Sequence, residues 1–168
     1  MPMPLASLSA VAVAVAAAIS IAGAPTAPST RETPFCAASI ERPQDAVCAA
    51  TEDALKAAWA ASELSTDSTV LIVILYDNAN MDGSAGSWSY YGSAACTSTT
   101  SDIDYSVSTL GSFNQRTSSF QSYNNCATRL WSGTSFTGTA FPGSTSFQVS
   151  STNVGASFND KAQSAQFS

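Results

Sequence analysis

The sequence contains no histidine, which removes the side chain used most often as a general base at neutral pH. A nucleophile of the Ser–His or Cys–His type is excluded for the same reason. Basic residues are also scarce, with 6 Lys and Arg against 12 Asp and Glu and a net charge of −6. Because so few basic side chains cannot follow a phosphate backbone, no nucleic acid partner is expected.

Charged residues of either sign make up only 11% of the chain, and small polar residues fill much of it. This composition suits short strands and polar loops, so it predicts an all-β fold. Asp102 and Asp104 are the acidic pair that could serve a glycosidase mechanism. Acids within a Ser/Thr-rich segment are more often solvated loop residues, so we expect a protein that binds and does not catalyse.

Residues 1–30 carry no charge, and residues 10–22 (AVAVAVAAAISIA) form an apolar run of the length of a signal-peptide core. A membrane anchor is the alternative, but it would need about 20 apolar residues with basic flanks. We therefore predict a signal peptide over residues 1–24, although its start lacks a basic residue. Cleavage after Ala24 competes with cleavage after Ala22, and the mature protein is expected to be secreted, extracellular and free of the membrane.

The four cysteines form an even set, which in an exported chain predicts two disulfides. Three pairings are possible, and local pairing closes the smallest loops. It joins Cys36 to Cys48 and Cys96 to Cys126. A zinc site is the weaker alternative, since the chain has neither histidine nor a Cys-x-x-Cys motif.

The segment 44–64 is rich in Ala, Leu, Glu and Lys, with apolar residues on roughly one face, which predicts one amphipathic helix. Residues 70–76 (VLIVILY) follow as a β-branched run typical of a buried strand. We therefore divide the exported chain into an N-terminal extension at 25–68, which holds the helix, and a β domain at 69–168.

The β domain contains two motifs, and each occurs twice. Residues 76–83 (YDNANMDG) match residues 131–138 (WSGTSFTG) as aromatic, four residues, large apolar, one residue, glycine. Downstream, residues 113–119 (FNQRTSS) match residues 158–164 (FNDKAQS). The first copy is longer between its two motifs, and its Ser/Gly/Thr-rich residues 84–101 predict a loop-like insertion. Two ordered motifs in duplicate indicate a repeated unit.

These motifs resemble those of the βγ-crystallin family, and the resemblance covers residues 69–168. The chain is also similar to secreted bacterial members of that superfamily, including small metalloproteinase inhibitors. The resemblance implies an all-β, βγ-crystallin-like sandwich of two Greek-key motifs, here preceded by one short α-helix. Met81 in place of an aromatic residue and Gln163 in place of Ser or Thr depart from the family pattern.

The resemblance also implies a calcium site, because calcium takes six to eight oxygen ligands and the second motifs supply such oxygens. By position, Asp160 would pair with Ser118 in a competent site, and Gln115 with Gln163 in a degraded one. The alternative is that these side chains only hydrogen-bond the turn backbone. The candidate calcium ligands are Asp160, Ser118, Asn159, Asn114, Gln115 and Ser119.

Two functions follow as expectations from the resemblance and the ligand set. The first is a secreted peptidase-inhibitor-like module with a calcium site, in which residues 84–101 and Cys96 would present a loop to an extracellular protease. The second is a structural or stress-related calcium-binding crystallin module without inhibitory activity. In either case a monomer is expected.

Overall fold

The computed structural model describes residues 35–168, so the predictions for residues 1–24 and 25–34 lie outside the described residues. The described chain is mostly β-sheet, which confirms the all-β prediction in its general form. Within this range no helix is long and apolar enough to cross a bilayer. The strands are β1 (Phe35–Ser39), β2 (Ala46–Ala49), β3 (Val70–Tyr76), β4 (Ser87–Gly92), β5 (Tyr105–Val107), β6 (Ser119–Ser122), β7 (Thr128–Trp131), β8 (Ala140–Phe141), β9 (Thr152–Asn153) and β10 (Ser164–Phe167), and the helices are α1 (Glu52–Ala60) and α2 (Leu64–Asp67).

The strands form two sheets. The larger has six strands in the order β2-β1-β4-β3-β6-β9, and the smaller has four in the order β5-β10-β7-β8. In β3 the side chains of Ile72, Val73 and Leu75 are fully buried, while Leu71 and Ile74 are partly exposed on the other face. The predicted strand at residues 70–76 is confirmed with its boundaries.

One cluster of buried hydrophobic residues contains side chains from both sheets. Leu75 and Phe120 come from the larger sheet, and Leu130 and Phe167 come from the smaller one. Burial of apolar side chains between sheets is the main favourable contribution to folding. The two sheets therefore share a single core.

The helix predicted over residues 44–64 is wrong in its first part. Residues Ala46–Ala49 form β2, which pairs antiparallel with β1 in a register that places Cys36 opposite Cys48. Helix α1 begins only at Glu52, where the Thr51 side chain accepts a hydrogen bond from the Ala54 amide at 3.2 Å. Strand pairing and the disulfide thus outweigh the helix propensity of the Ala-rich segment.

The N-terminal segment adds two strands to the larger sheet, so residues 35–49 do not lie outside it. Strand β1 pairs in parallel with β4, which places β1 and β2 at one end of the sheet. Helix α1 buries Leu55 and Trp59 in a second, smaller hydrophobic cluster. The Trp59 ring stacks on Tyr91 of β4 with centroids 4.7 Å apart. The helix therefore packs against this sheet.

The loop predicted for residues 84–101 is also corrected, because it contains strand β4 between β1 and β3. Residues 84–101 as a whole have a loop-like composition, but Trp88 and Tyr90 within Ser87–Gly92 are spaced two residues apart and both are buried in the main core. An aromatic residue at every second position is the period of a strand. The long loop is limited to residues 93–104.

Both predicted disulfides are confirmed, as Cys36–Cys48 and Cys96–Cys126. The first joins paired residues of β1 and β2. The second anchors the loop at 93–104 to the turn before β7. Each links segments that are distant in sequence but adjacent in space.

We predict that the Cys96–Cys126 bridge stabilises the protein more than the Cys36–Cys48 bridge. Their sequence separations are 30 and 12 residues, and a longer closed loop restricts the unfolded chain more. Replacing both cysteines of a bridge by alanine should lower the free energy of unfolding by about 4 kcal/mol for the longer loop and about 3 kcal/mol for the shorter. Urea denaturation of the two double variants measures this, and the reverse order would contradict it.

Candidate functional site

The first motif folds in the same way in both halves of the β domain. Ala79–Met81 and Thr134–Phe136 are both 3₁₀ turns. Asn80 and Met81 have φ angles of 61° and 57°, and Ser135 and Phe136 have φ angles of 51° and 61°. Two consecutive left-handed residues are rare outside glycine, so this shared conformation is a specific likeness.

The first motif of each half forms a hairpin, over residues 77–86 in the first half and 132–139 in the second. The last serine of each second motif hydrogen-bonds to the hairpin of its own half. Ser119 Oγ donates to the Asn78 carbonyl at 2.6 Å and accepts from the Met81 amide at 2.9 Å. In the second half, Ser164 Oγ donates to the Gly133 carbonyl at 2.7 Å and accepts from the Phe136 amide at 3.0 Å. Ser119 therefore hydrogen-bonds the turn backbone, which is the alternative to a role as a calcium ligand.

The match between Gly83 and Gly138 does not extend to the structure. Gly138 has a φ of 79°, whereas Gly83 begins a second 3₁₀ turn and the left-handed glycine there is Gly86, with a φ of 99°. The hairpin closes with a hydrogen bond across residues 77–86 in the first half and across residues 132–139 in the second. The first turn thus holds two more residues, and the equivalence ends after Met81 and Phe136.

The β domain has two halves, the first with strands β3 to β6 and the second with strands β7 to β10, and each half places one strand in the sheet of the other. Strands β3, β4 and β6 lie in the larger sheet together with β9, while β7, β8 and β10 lie in the smaller sheet together with β5. In chain order, β5 is the third strand of the first half and β9 is the third strand of the second. Each half therefore completes the sheet of the other.

The exchange brings together the segments that carry the second motifs, which we call arch one (residues 113–119) and arch two (residues 158–164). The Gln115 amide donates to the Ala162 carbonyl at 2.8 Å, and the Asp160 amide donates to the Thr117 carbonyl at 3.2 Å. Gln115 and Asp160 both have left-handed φ angles, of 59° and 56°. Each arch therefore donates one backbone hydrogen bond to the other.

Oxygen atoms of three chemical types lie around Ser118, which links arch two to the first hairpin. Ser118 Oγ lies 3.4 Å from Asp160 Oδ1 and donates to the Asp77 carbonyl at 2.6 Å. Asn159 Nδ2 donates to Asp160 Oδ2 at 2.7 Å. A carboxylate, a hydroxyl and a carbonyl are all ligands that calcium accepts. We take this cluster as the candidate calcium site.

The charges around the cluster leave one carboxylate available. Arg116 Nη2 pairs with Asp77 Oδ2 at 2.8 Å, and the guanidinium lies 4.9 Å from the centre of the Phe113 ring. Asp160 is exposed and makes no ion pair within residues 35–168. The carboxylate of Asp160 can therefore approach a cation without first breaking a salt bridge.

The equivalent position in the other half has a different chemistry. Gln163 Nε2 donates to the Ser132 carbonyl at 2.8 Å, which corresponds to the bond between Ser118 and Asp77. Gln115 stands where arch two has Asp160, so no carboxylate is contributed there. An amide nitrogen cannot be a calcium ligand in this orientation, so the second position offers fewer ligand atoms.

The structure separates the six candidate ligands into groups. Asp160 and Ser118 lie together, and Asn159 supports the Asp160 carboxylate. Asn114 Oδ1 accepts from the Leu110 amide at 3.0 Å, so Asn114 braces the turn that begins arch one. Gln115 belongs to the second position, and Ser119 is held by its hairpin.

The Asp77 carbonyl was not predicted from the sequence, because every residue has a main-chain oxygen and the residue type does not indicate which one faces a site. Its place directly after Tyr76 of the first motif is the only sequence feature that could have indicated it. Within the part of the chain that the structure describes, no group of three or more His, Cys, Asp and Glu side chains could hold a metal ion. The candidate site therefore depends on hydroxyl and carbonyl oxygens as well as one acid.

Comparison of the chain with protein-family models, with curated proteins and with solved structures found no match.

We predict that Ser119→Ala and Ser164→Ala destabilise the protein by similar amounts. Each change leaves a hairpin carbonyl and a hairpin amide without their partner, and an unsatisfied buried group costs about 1 to 3 kcal/mol. The exposed Ser98 provides the control, since Ser98→Ala should change stability by less than about 0.5 kcal/mol. Chemical denaturation measures all three, and a large effect in one half only would contradict the equivalence of the hairpins.

Proposed function

We propose that the protein is a secreted, non-enzymatic binding protein of the βγ-crystallin type, with two Greek-key motifs and one calcium site. The observation that carries the proposal is the reciprocal contact of the arches, which sets Asp160 of one half beside Ser118 of the other at 3.4 Å. The strand exchange between the two sheets supports the same topology. The two disulfides support an oxidising, extracellular location.

One calcium ion is expected to bind more tightly than any second. Ligand charge is a main determinant of calcium affinity, and Asp160 brings a formal charge to the first position only. In both positions a side chain bonds the hairpin carbonyl, but Ser118 does so with a hydroxyl whose oxygen can also bind calcium, whereas Gln163 does so with an amide nitrogen that cannot. A single carboxylate suggests a dissociation constant on the order of 10⁻⁴ to 10⁻³ M, as in extracellular modules.

Calcium at this position would join three separate parts of the chain. Asp77 follows β3, Ser118 precedes β6, and Asp160 belongs to the other half of the domain. In the unfolded chain these ligands are far apart, so only the folded state would bind the ion. Binding would then stabilise the fold by mass action.

We predict that calcium raises the melting temperature of the wild-type protein and that Asp160→Asn removes most of the effect. At a free calcium concentration 100 times the dissociation constant, the expected gain is about 2.7 kcal/mol. The Asp160→Asn change keeps the shape of the side chain but removes its charge. Calorimetric titration and thermal unfolding of both proteins measure the effect.

The exposed Asp102 offers a matched control, because Asp102→Asn removes one charge from a different loop. That variant should bind calcium as the wild type does. Absence of heat and of any melting shift in millimolar calcium would show that the arches are only hydrogen-bonded turns, and the calcium proposal would then be wrong.

Peptidase inhibition is the second candidate, and the loop at 93–104 favours it. The loop is anchored by the Cys96–Cys126 disulfide and by the Tyr105 hydroxyl, which accepts from the Ala94 amide at 2.9 Å. Ile103 is 49% exposed on this loop. A braced loop that presents an apolar side chain suits insertion into a protease cleft with little ordering cost.

The two acids of this loop brace it as well. Asp104 Oδ2 accepts from the Thr97 amide at 3.0 Å, and Asp102 Oδ1 accepts from the Thr97 hydroxyl at 3.4 Å. These contacts give Asp102 and Asp104 a role in holding the loop. They favour the expectation that this pair is not a glycosidase centre.

We predict that, if the loop is inhibitory, the protein inhibits an extracellular peptidase and Ile103→Ser weakens the inhibition at least tenfold. A panel of secreted metallopeptidases and serine peptidases is assayed with the wild type and the variant. Val149 is 69% exposed on another loop, so Val149→Ser is the control and should inhibit normally. No inhibition by the wild type, or equal loss in both variants, would exclude this loop as the inhibitory element.

A further inference from the structure

A groove of about 320 Å³ lies between helix α1 and the outward face of the larger sheet. Leu71 and Ile74 of β3 line it beside Leu55 of α1. The groove is separate from the candidate calcium site, and none of the six predicted ligands lines it. Small-ligand pockets usually measure about 300 to 1,000 Å³, so the size fits a ligand of one or two rings.

Aromatic rings form much of the wall of the groove. Tyr76, Tyr91 and Tyr123 are each half-buried there, and Trp59 supports Tyr91 by stacking against it at 4.7 Å. The face of an aromatic ring is electron-rich and attracts weakly positive C–H groups. The tyrosine side chains therefore give the groove an aromatic wall.

The polar atoms of the groove are mostly hydroxyls. Ser87 and Ser89 are each only 6% exposed and line the groove, and neither side chain has a hydrogen-bond partner among residues 35–168. Burial raises the pKa of Tyr76 to about 12, and burial also raises the pKa values of Tyr91 and Tyr123. These phenols remain protonated at neutral pH, so each can both donate and accept a hydrogen bond.

The two charged residues that line the groove neutralise each other. Lys56 Nζ lies 2.9 Å from Glu52 Oε1 in an exposed pair on α1. No other Asp, Glu, Lys or Arg among residues 35–168 lines the groove. A charged ligand would therefore find no unpaired partner.

We propose that this groove binds a neutral pyranose sugar of one or two rings. Such a sugar has an apolar C–H face for the tyrosine rings and hydroxyls around its edge for Ser87, Ser89 and the phenols. A purely apolar ring compound would leave the buried serine hydroxyls unpaired, which is unfavourable.

The test is a nuclear magnetic resonance titration of the ¹⁵N-labelled mature protein with cellobiose, lactose and chitobiose as separate probes. At least one disaccharide should give saturable shifts in the amides of α1, β3 and β4. Tyr76→Phe and Tyr123→Phe each delete one hydroxyl and keep the ring, so each should raise the dissociation constant about 3- to 10-fold. The spectra of the free variants establish that each is folded.

Tyr105→Phe is the matched control, because Tyr105 lies outside the groove and its hydroxyl contacts Ala94. It should leave the affinity within twofold of the wild type. The proposal is overturned if no disaccharide gives saturable shifts at tens of millimolar, if the shifts lie away from the groove, or if the groove variants weaken binding no more than the control does. Either groove variant is sufficient for this comparison if the other does not fold.

Discussion

The structure depends on the pair of backbone hydrogen bonds that join the two arches. The Gln115 amide reaches the Ala162 carbonyl, and the Asp160 amide reaches the Thr117 carbonyl. Thr117 and Ala162 are both fully buried, so their carbonyl groups cannot turn to water instead. Neither arch can satisfy its backbone alone, and the two halves must fold against each other. The shared core and the exchanged strands join the same two halves.

The two halves have similar backbone conformations at the arches but different side chains there. Ser118 and Gln163 each donate a hydrogen bond to a hairpin carbonyl, Ser118 to Asp77 at 2.6 Å and Gln163 to Ser132 at 2.8 Å, but the donor is a hydroxyl oxygen in the first case and an amide nitrogen in the second. Where Asp160 brings a carboxylate, the equivalent residue Gln115 brings a neutral amide. One position therefore presents oxygen atoms that suit a cation, and the other presents an amide nitrogen and no carboxylate.

Sequence patterns predicted the parts of the fold that side-chain type controls directly. Residues 70–76 have the β-branched run of a buried strand, and the four cysteines pair as the shortest loops require. Strand β2 was not predictable by propensity, because its Ala-rich sequence favours a helix and only the pairing with β1 overrides that preference. Strand β4 was not predicted because it lies in a Ser/Gly/Thr-rich segment, although the spacing of Trp88 and Tyr90 is that of a strand.

The candidate site was predictable only in part, for a different reason. The proximity of Asp160 and Ser118 followed from the family resemblance by position, and the structure places them together. The Asp77 carbonyl is a main-chain atom, and its direction depends on a left-handed turn that no residue type requires at Asn80 or Met81. The backbone of Asn80 and Met81 matches that of Ser135 and Phe136, but Gly83 does not match Gly138 because the first turn is two residues longer.

The most direct test of the reciprocal arches is a calcium titration of the ¹⁵N-labelled protein followed residue by residue. We expect the amides of Asp77, Ser118 and Asp160 to shift together with one dissociation constant, since these residues come from both halves and surround one position. The amides of Ser132 and Gln163 should respond only at higher calcium or not at all. Equal affinity at both positions, or no response at Asp160 when calcium is in the millimolar range, would contradict a single calcium site between the arches.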